Sequence, residues 1–294
     1  MFIDGVFSGG GIKGFALIGA FEAIENRGLQ FKRVAGTSAG SLVAALIAAG
    51  YTSKEIYELI DEVDMEEFLD RRKTFIPLSV GKWLFLYWRL GLYKGVALEG
   101  WLEDKLEKKG LKTFGDLPAQ GLRIIASDLT NGRLIVLPDD LPHYNIDPYT
   151  FSIAKAVRMS CSLPYFFEPV KLYNGKECSL IVDGGVLSNF PMWLFDKDNT
   201  KKVRPVIGIK LSHNLIGHPK HIINNAIDMF EGLFETMKDA HDSRYISRKH
   251  EKNIIFIPTE GFLTTEFKLT DEKKKLLVKL GRECAEDFLT KWTY

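Results

Sequence analysis

The sequence predicts an α/β protein: a single domain built on a central, mainly parallel β-sheet flanked by helices. Three observations carry this. Strand-like and helix-like segments alternate through the first third of the chain, the pattern of βαβ units. Two of the strand-to-helix junctions are rich in glycine, at residues 9–14 and 36–40. No repeat, low-complexity segment or Pro/Gly/Ser linker divides residues 1–294, so the chain reads as one unit.

The elements follow in order. Phe2–Phe7 is a short apolar strand, Ile12–Asn26 a helix, Phe31–Gly36 a second strand and Ala39–Ala49 a small-residue helix. Thr52 with Glu55 makes a capping-box pattern, so a helix begins there and runs to about Val63. Asp61–Asp70 and the basic Arg71–Lys73 read as a solvated helix face and its end. Residues 75–96 are aromatic and interrupt the alternation. Leu98–Lys108 is helical, and Leu122–Ala126 and Arg133–Leu137 are strands joined by a turn at Thr130-Asn131-Gly132. Tyr149–Met159 reads as a helix and residues 161–170 as a proline-bounded apolar turn. Ser179–Val182 and Val203–Lys210 are buried strands, His221–His250 a long amphipathic helix, Ile254–Ile257 a last strand, and Asp271–Trp292 a helix capped by Thr270.

Composition narrows the function classes. With 39 Lys+Arg against 38 Asp+Glu there is no basic field, so nucleic acid is not an expected partner. Three scattered cysteines, Cys161, Cys178 and Cys284, form neither a disulfide framework nor a metal-ligand spacing, which fits a reducing compartment and predicts no bound metal. The N-terminus lacks a basic region ahead of its apolar run and carries Asp4 within it, unlike a signal peptide. No uncharged stretch approaches the ~20 residues that span a bilayer. These features predict a cytoplasmic protein without a transmembrane segment.

The string Gly36-Thr37-Ser38-Ala39-Gly40 matches G-x-S-x-G, between an apolar strand and a helix, where a nucleophile elbow belongs. Its outer glycines relieve a sharp turn, and the helix dipole behind Ser38 favours developing negative charge. A serine that merely caps the helix is the plain alternative. Upstream, Gly9-Gly10-Gly11-Ile12-Lys13-Gly14 offers backbone N–H groups at a second helix start. Its spelling also satisfies the dinucleotide fingerprint, but that motif expects an acidic residue near the end of the second strand. Here that strand ends in the serine turn instead. A Walker loop is excluded because Lys13 precedes Gly14. With Ser38 as a nucleophile, the glycine loop reads as an oxyanion hole, and both loops should emerge at the same sheet edge.

A serine needs a base. The six histidines, His143, His213, His218, His221, His241 and His250, lie in polar loops or along the long helix, with no pattern setting one beside Ser38. Asp183 is the better candidate, at the end of the apolar strand Ser179–Val182 and followed by Gly184 and Gly185. An apolar setting would raise its pKa toward a useful base. A structural Asp-Gly turn stays open on local sequence alone.

These residues, in this order, resemble the patatin-like phospholipases. The matching elements are residues 9–14, 36–40 and 183–185, with 156–170 similar to the family's third segment and Asn189-Phe190-Pro191 to its Asn-x-Pro continuation. The motifs run from residue 7 to about 191. The resemblance implies a patatin-like three-layer α/β/α fold and a Ser38–Asp183 dyad without histidine. It implies an oxyanion hole drawn from Gly9, Gly10, Gly11, Lys13 and Gly14, chiefly the N–H groups of Gly10 and Gly11. It also implies hydrolysis of phospholipid or lysophospholipid esters through an acyl-enzyme, with no cofactor. Lys13 stands where the family has Arg or Lys and either braces the loop or is plainly solvated. Pro164, Phe166 and Phe167 either wall the site or pack a core.

The stretch Gly81–Gly95, with Trp83 and Trp88, reads as a core or lid helix, or as a surface for acyl chains and peripheral membrane contact. Two alternatives to hydrolysis stand beside it: an acyltransferase using the same dyad, and a lipid-binding regulatory protein that turns over negligibly.

Overall fold

The computed structural model describes residues 1–70, 86–195, 204–212, 223, 226–245, 251–259, 262 and 269–293. The opening alternation becomes β1 (Phe2–Phe7), α1 (Phe15–Asn26), β2 (Gln30–Thr37) and α2 (Ala39–Ala48). β1 and β2 pair in parallel with Phe7 level with Gly36, so both glycine loops leave the same sheet edge. α3 (Ser53–Asp61) starts on the expected capping box: Thr52 N–H donates to Glu55 Oε2 at 2.7 Å and Glu55 N–H to Thr52 Oγ1 at 3.2 Å.

The rest of the chain supplies β3 (Gly91–Tyr93), α4 (Val96–Lys108), β4 (Leu122–Asp128), β5 (Arg133–Leu137), α5 (Ile153–Ser160), β6 (Tyr165–Phe167), β7 (Val170–Asn174) and β8 (Glu177–Asp183). β9 (Val206–Ser212), α6 (Ala226–Tyr245), β10 (Ile254–Pro258) and α7 (Asp271–Lys291) complete it. Among the described residues the main sheet runs β10–β9–β1–β2–β4–β8–β7, with β5 also paired to β4. From β10 to β4 every pairing is parallel; β5, β7 and β8 add antiparallel pairs. The steps β1→β2 and β2→β4 go one way across the sheet and β9→β10 the other. Right-handed crossovers therefore send α1 and α2 over one face and α6 over the opposite face. The strand ends of β1 and β9 flank the crevice this reversal opens, where open α/β sheets bind ligands.

Alternate residues of β1 serve two cores. Ile3 and Phe7 join the larger, with α1, α2 and α7; Val6 faces a smaller cluster with Ala35, Phe190 and Met192. Among the described residues no helix is long and apolar enough to cross a membrane.

Several segments differ from expectation. Residues 12–14 form a 3-10 turn ahead of α1. The helix expected from Tyr149 starts at Ile153, because Phe114 and Gly115 N–H groups bond the carbonyls of Phe151 and Tyr149 and Ser152 caps Lys155 N–H. Within the expected turn 161–170, Tyr165–Phe167 is a strand paired in parallel with β3. β7 and β8 form a hairpin around the two residues Gly175-Lys176, with Gly175 at φ +62°. Consequently Asp183 ends an antiparallel strand rather than a parallel one. The ends of the predicted helix 221–250 and Val203 lie outside the described residues.

α1 and α7 cross backbone to backbone. A Cβ on Gly281 would sit 1.9 Å from Ala16 O, and one on Gly19 would sit 1.9 Å from Val278 O. Gly281→Ala should therefore force the helices apart and cost about 1–3 kcal/mol. Urea unfolding measures it; an unchanged midpoint would refute the crossing.

Candidate active site

The serine elbow is built by close backbone contact. A Cβ on Gly40 would lie 2.3 Å from Phe7 O, and one on Gly36 would lie 2.3 Å from Gly40 O. Only glycine lets α2 start directly against the end of β1. Ser38 takes φ +52° and ψ −127°, a strained conformation for a residue with a Cβ. Three bonds hold it: Ser38 N–H donates to Ser160 Oγ at 2.8 Å, Ser160 Oγ–H to Ile125 O at 2.5 Å, and Ser41 Oγ–H to Ser38 O at 2.6 Å. The Ser38 side chain makes no capping bond to α2, so the capping alternative gives way. Thr37 is buried and ties the elbow to the downstream segment by donating to Ser188 O at 3.0 Å.

Asp183 arrives from the opposite direction. β4 extends beyond the end of β2, whose Thr37 is level with Ile125, and β8 pairs antiparallel with that overhang. β8 thus runs back toward the sheet and stops with Asp183 opposite Ala126, one residue past the level of Thr37. Asp183 is 2% exposed and accepts a 2.7 Å bond from Gly185 N–H. Burial pushes its carboxyl from 3.8 up to about 6, while the Ser38 side chain, the Gly185 N–H and the charge of Lys238 each draw it down. A carboxylate so placed is a far better proton acceptor at neutral pH than an ordinary aspartate.

The glycine loop divides its N–H groups. Gly9 N–H donates to Asn189 O at 3.2 Å and Lys13 N–H to Gly10 O at 3.3 Å, so neither faces a reacting atom. Among the described residues the N–H groups of Gly10 and Gly11 have no acceptor, and no side chain caps this turn. Gly10, Gly11 and Gly14 line the same cavity as Ser38, Ala39 and Asp183. The oxyanion set expected from sequence therefore narrows to Gly10 and Gly11. The Lys13 side chain is not solvated: it is buried and paired with Glu235 on α6 at 3.2 Å, which braces the loop.

The cavity measures about 130 Å³ and is overwhelmingly apolar, with Phe15, Ile18, Leu42, Val43, Ile60 and Phe68 along it. Phe167 lines it, as does Leu163, whereas Pro164 and Phe166 do not. Phe166 instead packs on Tyr93 at 4.8 Å between ring centroids. Trp88 is 71% exposed and outside the cavity, beside the exposed Tyr87, so it is not a core residue. Trp83 lies outside the described residues, as do His213, His218, His221, His250 and the side chain of His241. His143 is exposed and contacts Asp140.

Sequence reading missed four contributors. Ser160 and Cys161 are hidden in the segment 156–170; Cys161 lines the cavity, but burial lifts its thiol to about 12, so it stays neutral. Lys238 and Glu235 come from α6, more than 190 residues after Ser38. Their only sequence signal is ionisable residues at helical spacing, 235, 238 and 242, within an amphipathic pattern.

A mostly parallel sheet brings a serine turn, a glycine loop and a buried aspartate together around one cavity. The chain belongs to the patatin-like phospholipase family, whose model matches residues 5–196. Among its relatives, the uncharacterized protein YqhO of Bacillus subtilis is 57% identical over 294 residues, all of both chains. The cUMP-AMP-activated phospholipase of Escherichia coli is 28% identical, matching 62% of this chain and 54% of its own length. In fold, the crystal structure of VipD from Legionella pneumophila aligns with a TM-score of 0.59 and 19% identity, over 99% of this chain and 67% of that one.

The Lys13–Glu235 pair links the glycine loop to α6, and Lys13→Met would leave a buried carboxylate without that partner. A loss of about 3–5 kcal/mol in unfolding free energy is expected, with much of it recovered in Lys13→Met/Glu235→Leu. Chemical denaturation of the single and double variants checks this; additive losses would refute the link.

Proposed function

We propose that the protein is a serine lipid acyl hydrolase that cleaves fatty-acyl esters of phospholipids or lysophospholipids. The observation that carries the reading is Asp183: a buried carboxylate raised to about 6, facing a strained serine in an apolar cavity. Ser38 Oγ attacks the ester carbonyl as its proton passes to Asp183. The oxyanion is met by Gly10 and Gly11 N–H groups, each donor of this kind being worth roughly 3–4 kcal/mol. Asp183 returns the proton to the departing alcohol, leaving Ser38 acylated. Water then attacks the acyl-enzyme with Asp183 again as base, and Ser38 is regenerated. No metal or organic cofactor enters these steps. The apolar cavity holds the acyl chain.

The base works only when ionised, so kcat/KM should rise with pH through about 6 and level off above it. Ser38→Ala should abolish fluorophosphonate labelling and turnover of a short-chain ester. Asp183→Asn should lower turnover at least a hundredfold and remove the acidic limb. The same variant reports on stability. A carboxyl whose folded pKa is raised stabilises the fold below the unfolded value near 3.8 and loses that contribution as pH rises through about 6. At pH 8 Asp183→Asn should therefore be more stable than wild type by an amount on the order of 3 kcal/mol, read as a higher unfolding temperature. Absence of labelling in wild type would count against the enzyme and for a lipid-binding role. Product ester formed when an alcohol is added would mark a transferase.

Peripheral contact with lipid belongs to the same reading, because Tyr87 and Trp88 stand exposed side by side. Tyr87→Ala/Trp88→Ala should reduce hydrolysis of vesicle lipid about tenfold while sparing a soluble ester. Equal losses on both would refute the contact.

A further inference from the structure

α6 turns three ionisable side chains inward at helical spacing: Glu235, Lys238 and Asp242, all buried. The outer two are neutralised, Glu235 by Lys13 at 3.2 Å and Asp242 by Lys210. Lys238 lies between them, 8% exposed, over the ring of Phe234 at 5.5 Å. Among the described residues it makes no hydrogen bond and no ion pair. It lines the cavity that holds Ser38 and Asp183, and no other cation does so among the described residues. Burying an unpaired ammonium is costly, so this position asks for an anion that the folded chain alone does not supply at contact distance. Burial holds its pKa below the ordinary lysine range, which an adjacent anion would reverse.

We propose that Lys238 is a specificity-determining residue that binds the phosphate of a phospholipid or lysophospholipid while its ester is presented to Ser38. The inference rests on the hydrolase reading above and names which substrate group the site recognises. Asp183 does not remove the need. It senses Lys238 electrostatically, yet it loses its charge each time it takes the Ser38 proton. At that moment the negative charge passes to the oxyanion beside Gly10 and Gly11, whereas the substrate phosphate, a few bonds from the glycerol ester, gives Lys238 a partner that lasts through the whole cycle. A neutral acylglycerol leaves the ammonium unsatisfied. Lys13 and Lys210 are no substitutes, since each is already held by a carboxylate of α6.

The test compares monomeric short-chain lysophosphatidate and monoacylglycerol carrying the same acyl group, in wild type, Lys238→Met and Lys238→Arg. Lys238→Met should lower the ratio of kcat/KM for lysophosphatidate over monoacylglycerol roughly ten- to hundredfold, mainly through KM, the loss expected for a charge-assisted hydrogen bond. Lys238→Arg should restore most of that ratio. A second arm measures binding by calorimetry in the Ser38→Ala background, where Lys238→Met should weaken lysophosphatidate and not monoacylglycerol. If wild type turns over neither ester while the binding difference persists, the hydrolase reading fails and the phosphate site stands. Equal losses on both lipids, or none, overturn the proposal; equal losses with a displaced pH limb would reassign Lys238 to holding Asp183 ionised. Relief of inhibition by the free fatty acid, with the substrate ratio unchanged, would overturn it in favour of the product carboxylate. Circular dichroism confirms that each variant folds, with Lys238→Gln replacing Lys238→Met where needed.

Discussion

The rest of the site depends on one contact, the seating of the α2 N-terminus against the end of β1. Gly40 faces the carbonyls of Phe7 and Ser8, where a Cβ would come within 2.3 and 2.5 Å. No side chain fits that gap, so the elbow and the glycine loop are held to one geometry. Because β1 and β2 pair level at Phe7 and Gly36, the loops after them cannot move apart without breaking the ladder. The left-handed backbone at Ser38 follows from the same contact: the chain must reverse within one residue to enter α2. Ser160 fixes that reversal from a third direction by linking Ser38 N–H to β4.

A site assembled from strand ends gains rigidity, but the charges within it conflict with burial. Asp183 sits in a cavity walled by apolar side chains, and its raised pKa measures what ionisation there costs. Folding favours the protonated acid, whereas the proposed role of Asp183 as base needs the carboxylate. The compromise near 6 keeps Asp183 mostly ionised at neutral pH yet basic enough to accept a serine proton. α6 contributes to that balance from the other face of the sheet, because the β1/β9 reversal points the start of α1 and the face of α6 at one crevice.

Local signals made the first half of the site legible. The elbow, the glycine loop and Asp183-Gly184-Gly185 each occupy a few contiguous residues whose types follow from backbone geometry, and the alternation around them gives the parallel sheet. The capping boxes and glycine turns are equally local. What escaped reading was set by pairing partners distant in the chain. The direction of β8 depends on the overhang of β4, although the Asn174-Gly175 pair before it is an ordinary hairpin signal. The strand at 165–167 exists because Gly91 lets β3 approach within 2.4 Å of Glu168 N, measured from the Cβ it lacks. Gly9 and Lys13 share the loop with Gly10 and Gly11, but the carbonyls of Asn189 and Gly10, which no local signal announces, claim their N–H groups.

The least legible part, the inward face of α6, is also the part that differs in kind. Strand ends fix the reacting atoms through backbone contacts that tolerate almost no substitution. α6 meets them through side chains: Glu235 on Lys13, Asp242 on Lys210 and Asn189. A Cβ at Gly36 or Gly40 cannot be accommodated, whereas the charges of α6 are held by side-chain partners on the glycine loop and on β9. On the proposed reading, chemistry and recognition are carried by different layers of the fold. On that reading the elbow and Asp183 carry the acyl transfer, and Lys238 on the opposite face presents the charge that meets the rest of the substrate.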